Sequence, residues 1–354
     1  MANLKSTTIN DTGFLQLPSG TTAERPQSPT ASEIRFNTDT KVCEWYDSEL
    51  DAWFLTGIVP PVATGGDTVE DVDIDGVTYR IHSFTTVGSS DFTVTRGGLV
   101  DYLIVAGGGA GGAPDRAGGG GGAGGLLQGS TFVDIDNYTI EVGAGAIADN
   151  NSGASAVNGE NSHALGVTTF GGGGGANQSE RSDTLIAASG GSGGGGNDGQ
   201  NSITSDSAFP AGSNPGAAGT PGQGNSGGFG AHRGGDWAHG GGGGGAGEPG
   251  GNSDTSGVDS SDGARPGPGG NGISSQITGT VQFYAGGGAG GGWSNTVGES
   301  GGLGGGGDSK GGSQTGKGGS GTPNTGGGGG AAGDNGSEGG DGGSGIVIIR
   351  YRIS

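Results

Sequence analysis

The feature that most constrains this chain is an abrupt junction between an apolar strand and a run of glycines. Residues 100–106 read Val-Asp-Tyr-Leu-Ile-Val-Ala, and only Asp101 among them is charged. A run of this length, rich in β-branched and aromatic residues, predicts a strand buried on both faces. The three glycines that follow have no side chains and cannot extend a side-chain core. The chain therefore passes here from one kind of structure into another.

The same junction recurs along the chain. It is found at residues 167–170 before five glycines, at 281–285 before three, and in reverse where 342–345 lead into the apolar residues 346–351. Glycine supplies 96 of the 354 residues and only 28% are hydrophobic, whereas about 7% glycine is usual. One conventional core for the whole chain is therefore excluded, and we expect a small β-scaffold from which glycine excursions repeatedly leave and return.

The glycine excursions allow two interpretations. They are dense in residues 107–125, 171–199, 240–251, 286–307 and 326–345. Such low-complexity sequence is typical of flexible linkers, but a linker has no need to begin and end so often on buried strands. The alternative is extended polyglycine II, with three residues per turn and about 3.1 Å rise per residue. Glycine allows such helices to pack so closely that the amides of one bond to the carbonyls of the next. Collagen is excluded because the glycines follow no strict three-residue period.

The fold class indicated by the remaining segments is all-β, with no significant α-helix. Asp75-Gly76 between alternating residues predicts a tight hairpin. About eight or nine strands in residues 67–354 suit a two-sheet jelly-roll sandwich with inserted polyglycine-II helices. The predicted strands are 79–85, 91–95, 100–105, 126–128, 137–142, 166–170, 281–284 and 346–352.

The N-terminal part divides into three segments. Residues 1–33 are polar and contain Pro18, Pro26 and Pro29, so we expect an extended docking arm that a partner orders. Residues 34–59 predict a three-stranded β-meander, which at this size needs docking or oligomerisation. Residues 60–66, with Pro60-Pro61 and Gly65-Gly66, are interpreted as a linker.

The meander resembles the repeat G-x-I-R-[FY]-N-T-x-T-x-x-x-E-x-[YW]-[DN]-G-x-x-W of bacteriophage tail fibres and other virion appendages. The matching residues are 32–41 (Ser-Glu-Ile-Arg-Phe-Asn-Thr-Asp-Thr-Lys), 44–47 (Glu-Trp-Tyr-Asp) and Ala52-Trp53. The match departs at Glu33 and at 48–50, where that family often has glycine. The resemblance implies intertwined trimeric β-structure or an attachment platform. The residues expected to make particle or trimer contacts are Phe14, Leu15, Leu17, Ile34, Phe36, Trp45, Tyr46 and Trp53.

Residues 67–354 are similar to a second family. The segments at 100–112 and 343–351 resemble the glycine-rich domain common in phage tail fibres, and also the glycine-rich extracellular region of anaplastic lymphoma kinase. This resemblance implies a tumour-necrosis-factor-like sandwich that carries inserted polyglycine-II helices. It brings no catalytic residue with it.

The charge balance and scattered motifs argue against several function classes. Lys and Arg total 14 against 35 Asp and Glu, a formal charge of −21, which disfavours nucleic acid and anionic membranes as partners. The lone Cys43 forbids an intrachain disulfide, and no secretory signal or membrane-inserting segment is visible. Asp71, Asp73 and Asp75 match half of a calcium loop, but His82 stands where the bidentate Glu belongs. We expect no enzymatic activity, cofactor or bound metal.

Recognition is expected in the polar and aromatic segments between the glycine runs. Residues 229–239 are the richest, and the candidate receptor contacts are Phe229, His232, Arg233, Asp236, Trp237 and His239. Further tips are 178–187, 203–209 and 293–297. Such aromatic side chains suit stacking on a glycan or filling a pocket of a partner, although they could equally cap the glycine bundle.

The expected function is that of a trimeric tail fibre or adhesin in the virion. Its N-terminus would dock on other tail, baseplate or head proteins, and its distal loops would bind a host glycan or outer-membrane protein. The alternatives are a head or collar decoration fibre, and a non-viral glycine-rich surface or ice-binding protein.

Overall fold

The computed structural model describes most of the chain. The described residues are 17–30, 33–48, 51–55, 60–113, 117–149, 157–177, 186–198, 213–232, 238–254, 265–293, 296–312, 314, 316–333 and 338–353. Among them the only helix is one 3₁₀ turn, Thr22–Glu24, and no helix is long and apolar enough to cross a membrane.

The strands fall into five sheets. In chain order they are Ser19–Gly20 (β1), Ile34–Asn37 (β2), Val42–Asp47 (β3), Ala52–Leu55 (β4), Val62–Thr64 (β5), Thr68–Ile74 (β6), Val77–Phe84 (β7), Gly88–Arg96 (β8), Gly98–Val105 (β9), Leu126–Val133 (β10), Asn137–Val142 (β11), Ser162–Ala164 (β12), Val167–Thr169 (β13), Ser213–Asn214 (β14), Gly230–His232 (β15), Ala238–His239 (β16), Ile273–Ser275 (β17), Gln282–Tyr284 (β18) and Ile346–Arg352 (β19).

The N-terminal sheet contains the predicted meander. Strands β2, β3 and β4 pair antiparallel in sequence order, as the alternating pattern of residues 34–55 indicated. The sheet gains a fourth strand from the segment interpreted as a docking arm, because β1 pairs with β2 in parallel. The 3₁₀ turn after β1 is fixed to the same sheet, since the amide of Thr22 donates to Asp39 at 2.8 Å. Residues 17–30 thus lie against the meander.

The second region is a sandwich of two five-stranded sheets. One has the order β10-β9-β19-β7-β6 and the other β13-β12-β11-β8-β5. Antiparallel pairs nest within one another along the chain, with β9 on β10, β8 on β11, and β7 on β19. This nested pairing is the connectivity of a jelly roll. The all-β sandwich predicted from the strand pattern is therefore confirmed.

The sandwich core lies between the two sheets and is rich in fully buried side chains. Phe84, Phe92, Ile104, Ile140 and Ile349 are each at most 1% exposed. The opposite face of the first sheet is also covered, and a second cluster there joins Leu103, Val105 and Ile348 to Tyr284 and Ala285. Residues 103–105 of β9 are consequently buried on both faces, as the apolar run predicted, whereas Leu99 near the start of the strand is 52% exposed.

Three strands of the sandwich, β5, β6 and β12, are absent from the sequence-based assignment, and the predicted strand at 281–284 pairs with β17 in a separate two-stranded sheet. Val62–Thr64 lies in the segment interpreted as a linker, but it forms the edge strand β5 beside β8. Only Ala63 of this strand faces the core, at 6% exposed, so its three residues carry almost no apolar signal. Strand β6 is an acidic edge strand and its residues are mostly exposed. The predicted turn at Asp75-Gly76 joins it to β7, with φ of 54° and 81° at the two positions.

Candidate functional site

The glycine runs pack side by side as a lattice, and the run at residues 117–125 shows how. Its successive amides donate to three different neighbouring runs, and the partner run repeats every third residue. The bonds are Gly119 to Ala176, Gly120 to Gly241, Gly121 to Gly329, Gly122 to Gly173, Ala123 to Gly244 and Gly124 to Gly326, at 2.7–3.0 Å. A three-residue period of this kind is that of polyglycine II. These residues are therefore not free linker.

The carbonyls of the same run accept from three further neighbours. Gly112 and Gly109 donate to Gly119 and Gly122, Gly195 and Ser192 to Gly120 and Ala123, and Gly291 and Gly288 to Gly118 and Gly121. The central run thus has six neighbours: 106–113, 171–177, 190–198, 240–246, 286–292 and 326–333. These six also bond to one another in a closed ring, through the bonds Gly172 to Gly107, Gly173 to Ser192, Gly241 to Gly196, Gly243 to Gly288, Gly328 to Gly286 and Gly329 to Gly109.

This hexagonal packing explains the composition, because a side chain would fall on a neighbouring backbone. A Cβ built on Gly119 would lie 1.9 Å from the carbonyl oxygen of Gly195, and one on Gly121 would lie 2.2 Å from that of Gly109. Real Cβ atoms do not approach oxygen so closely. Alanine is accommodated at selected positions such as Ala123 and Ala289, which are fully buried. Backbone hydrogen bonds therefore replace hydrophobic burial in this layer.

The runs alternate in direction with respect to the sandwich, which gives the lattice two different ends. Strand β9 continues directly into the outward run 106–113, and the inward run 117–125 leads into β10. Turns near the sandwich, such as 220–224 and 303–305, are among the described residues. At the other end, here called the distal end, outward runs stop at residues 113, 149, 177, 198, 232, 254, 293, 312 and 333. The segments that join them to the next inward runs lie wholly or largely outside the described residues.

The candidate receptor residues belong to one of the segments that join two runs at the distal end, here called distal crossings. The amide of Phe229 donates to Oδ1 of Asn252 at 3.0 Å, and the backbone of His232 pairs with that of Ala238. Arg233, Asp236 and Trp237 lie outside the described residues, as does the side chain of His232. The structure thus places the flanks of the predicted loop at the distal end and leaves its central residues untested. The tip at 203–209 also lies outside the described residues.

His239 is placed differently from a surface contact. Its side chain is 2% exposed, and neither ring nitrogen has a hydrogen-bond partner among the residues that the structure describes. Burial lowers the pKa of His239 to about 4, although the nearby carboxylate of Asp254 acts in the opposite direction. His239 is therefore a neutral residue inside the lattice, and its direct contact with a receptor would require the distal end to open.

Three exposed apolar side chains lie near the distal end. Ile147, Ile186 and Val297 are 78%, 59% and 72% exposed, and all three lie in the distal parts of their runs. Ile186 and Val297 belong to tips singled out in the sequence, whereas Ile147 was missed because a lone isoleucine among small residues gives no periodic signal. Trp293 is half-buried, and its amide donates to the carbonyl of Ala238 at 3.0 Å.

The N-terminal sheet explains the residues shared with the tail-fibre repeat. Glu44 is fully buried, and its carboxylate lies 2.7 Å from Nη2 of Arg25, 3.1 Å from Nδ2 of Asn37 and 3.5 Å from Nε of Arg35. Burial alone would raise the pKa of Glu44. The hydrogen bonds from Arg25 and Asn37 and the two positive charges outweigh burial and hold that pKa below its usual value. The Arg, Asn and Glu positions of the repeat, Arg35, Asn37 and Glu44, thus form one polar network with Arg25.

The predicted attachment residues divide between the two faces of this sheet. Tyr46 is buried and its ring lies 5.5 Å from that of Trp53, on the face that carries Glu44. Strand register puts Ile34, Phe36 and Trp45 on the opposite face, where Ile34 is 49% exposed. Leu17 is half-buried in the segment before β1. Phe14 and Leu15 lie outside the described residues.

The acidic hairpin suggested by half of a calcium motif is an ordinary pair of strands. Asp71 on β6 pairs with Arg80 on β7 through two bonds of 2.8 Å, and Asp73 accepts the amide of Gly76 at 2.9 Å. Among the residues that the structure describes, no cluster of three His, Cys, Asp or Glu side chains is arranged to hold a metal ion.

The lattice and most of the sandwich match a known protein family. A family model described as a glycine-rich domain matches residues 85–352. This chain belongs to that glycine-rich domain family. The match begins just before β8 and ends with β19, so it covers the lattice and seven of the ten sandwich strands of this glycine-rich domain and leaves out β5, β6 and β7. The N-terminal sheet lies outside the matched region. No curated protein matches the chain at a significant level.

Proposed function

We propose that this chain is a structural virion appendage, a tail fibre or adhesin, that binds a receptor on the host surface. The observation that carries the proposal is the separation of its two ends. Arg96 at the end of β8 donates to the carbonyl of Pro60 at 2.7 Å, where the chain enters the sandwich. Gly88 at the other end of β8 pairs with Val142, from which a glycine run leaves. Attachment and display would therefore occur at opposite ends of the sandwich.

The lattice supports a display role because it makes the distal end rigid without a side-chain core. Each interior run is bonded to its neighbours along its length, so its ends hold fixed positions. Bulky side chains are excluded from the runs themselves. The segments that connect the runs can therefore vary in sequence with little effect on the stability of the lattice. A rigid scaffold with variable connections is the usual arrangement for a binding surface. The distal end would therefore carry the receptor site, with Trp237 as its central aromatic.

The N-terminal sheet supports attachment and trimer formation. Its face with Ile34, Phe36 and Trp45 is only partly covered, and a region of about 40 residues is marginally stable alone. Three copies joined through this face would bury it. Other virion proteins are the proposed partners of the same N-terminal region.

The proposal is tested with the purified full-length chain, labelled with a fluorophore and applied to a panel of bacterial strains. We expect saturable binding to some strains, and Trp237→Ala should weaken it severalfold without lowering the melting temperature. The matched control is Trp45→Ala on the partly covered face of the N-terminal sheet, which should impair trimer formation in sedimentation equilibrium but leave the binding of each copy intact. A chain that is monomeric at micromolar concentration and binds none of the strains would overturn the proposal.

A further inference from the structure

A groove of about 430 Å³ lies on the flank of the molecule where the lattice meets the sandwich. It is bordered by an inward run at 158–161, the start of an outward run at 170–171, and the turns at 189–190 and 218–221. It is separate from the distal end, because Gly171 and Gly190 are the parts of their runs nearest the sandwich. Its volume falls in the range of small-molecule sites.

The most exposed large group of the groove is the ring of Phe170, which is 44% exposed. This residue belongs to neither apolar cluster of the sandwich. Its backbone is nevertheless held firmly. The amide of Phe170 donates to Oε1 of Gln223 at 2.9 Å, and Nε2 of Gln223 donates to the carbonyl of Thr168 at 3.0 Å. A fixed backbone beneath an exposed aromatic ring is the arrangement that a stacking platform requires.

The polar side chains of the groove already make hydrogen bonds within the protein, and these bonds fix their orientation. Oδ1 of Asn161 accepts the amide of Gly171 at 2.9 Å, so the amide nitrogen of Asn161 must point elsewhere and remains available as a donor. Asn158 uses both ends, since Oδ1 accepts from Gly174 and Nδ2 donates to the carbonyl of Ser189. The hydroxyl of Thr220 donates to Gly190 at 2.9 Å and keeps capacity to accept. Donors and acceptors thus surround the platform in set positions.

Of the residues that the structure describes, those lining the groove carry no charged side chain. An ionic ligand would be desolvated there without a counter-charge, which is unfavourable, and the formal charge of −21 repels anions in particular. The ligand that fits is therefore neutral, with one flat apolar face and a rim of hydroxyl or amide groups. A pyranose ring has this shape, because its axial C–H groups form an apolar face and its hydroxyls lie at the edge.

We infer that this groove is a binding site for one or two rings of a neutral saccharide, with the sugar stacked on Phe170 and hydrogen-bonded by Asn161. This inference rests on the proposed function and deepens it, because the saccharide would be part of a host-surface glycan. The lattice fixes the groove before the ligand arrives, which lowers the entropy lost on binding. The site would act beside the distal end, as a second contact on the same surface.

The test applies the full-length chain to a glycan array with neutral hexose and N-acetylhexosamine termini, and with sialylated and sulfated glycans as charged controls. We expect binding to a subset of the neutral glycans. Phe170→Ala should weaken it at least tenfold. Asn161→Asp keeps the oxygen that accepts from Gly171, but replaces the available donor with a carboxylate, and should weaken binding by a similar factor. Phe283→Ala, which removes an aromatic ring of 39% exposure outside the groove, should leave binding unchanged.

The outcomes separate this inference from the proposed function. If Phe170→Ala and Asn161→Asp lose array binding while their melting temperatures stay unchanged, the result supports saccharide binding in the groove. Array binding that is unaffected by both substitutions, confined to charged glycans, or absent overturns it, even when the chain still adsorbs to cells through its distal end. Neutral-glycan binding that depends on Phe170 in a chain that adsorbs to no cell supports the groove and counts against the virion role.

Discussion

The hydroxyl of Tyr351 lies 3.1 Å from Nε2 of His82, and both side chains are buried between the two sheets of the sandwich. The amide of Ala63 donates to the same hydroxyl at 3.2 Å. Nδ1 of His82 lies 2.7 Å from the carbonyl of Gly65, so His82 is neutral with its proton on Nδ1. Burial also lowers the pKa of His82. One polar chain thus ties the edge strand β5 to the last strand of the molecule.

Removing the Tyr351 hydroxyl should destabilise the sandwich. Tyr351→Phe leaves the amide of Ala63 and Nε2 of His82 buried without partners, and each unsatisfied group costs about 1–3 kcal/mol. Thermal or urea unfolding should show this loss. Tyr138→Phe is the control, because its hydroxyl accepts an amide at an exposed turn where water can replace it. Equal stability of the two variants would show that the polar chain contributes nothing.

Acid should weaken the distal part of the lattice through His239. Its pKa is about 4 in the folded chain, below the ordinary value of about 6.5. The unfolded chain therefore binds the proton first, and stability that is present above pH 6.5 is lost as the pH falls towards 4. A shift of this size corresponds to about 3 kcal/mol. His239→Leu should flatten the stability profile between these pH values, whereas an unchanged slope would contradict the burial of a neutral ring.

The buried carboxylate of Glu44 should be essential to the N-terminal sheet. Glu44→Gln leaves Arg35, whose side chain is only 7% exposed, without its counter-charge. Breaking a buried ion pair in this way costs roughly 3–5 kcal/mol, which exceeds what a small sheet can lose. Because the pKa of Glu44 is held low, the contribution is present above its ordinary pKa and is lost as the pH falls through the folded value.

Hydrogen exchange of residues 33–55 measures this effect. Glu44→Gln should expose that segment while the sandwich stays protected. Asp71→Asn breaks a pair in which both side chains are more than a third exposed, and should cost less than about 1 kcal/mol. A protected N-terminal sheet in the Glu44→Gln chain would contradict the role assigned to the network.

Adding a side chain inside the lattice should lower the stability of the protein far more than removing one. The Cβ of Gly173→Val would lie 1.8 Å from the carbonyl oxygen of Ala188, so runs must separate and break several backbone bonds, each worth about 0.5–1.5 kcal/mol net. Ala176→Gly, in the same run, removes one buried methyl and should cost about 1 kcal/mol. Calorimetric melting of the two variants compares them directly. Equal melting temperatures would mean that the runs are not close-packed.

The sequence predicted most strands of the sandwich and the polyglycine-II conformation of the glycine runs, but not how those runs pack. The strands Asn137–Val142 and Ile346–Arg352 were predicted with their observed bounds, because apolar residues alternate along the first and form a continuous run at the start of the second. The polyglycine-II conformation followed from the junctions between strands and glycine. The hexagonal order could not be predicted, because glycine residues 119 and 241 carry no side chain to specify which partner run each will join.

The candidate site shows a similar division. The sequence located a distal crossing at residues 229–239, but treated His239 as a surface contact. Burial of that residue depends on the neighbouring run 286–292, whose Gly292 bridges to it, and nothing in the local sequence indicates this. The groove at Phe170 could not be predicted for the same reason, since its walls come from four segments spread over residues 158–221.

The central claim is that residues 117–125 form the fully bonded middle of a polyglycine-II lattice. Hydrogen–deuterium exchange of a peptide covering these residues, measured on the intact chain at neutral pH, tests it most directly. We predict that the amides of Gly119 to Gly124 exchange only through global unfolding, as slowly as those of β9 in the sandwich core. Complete exchange within seconds, at the rate of an unstructured glycine chain, would contradict the lattice.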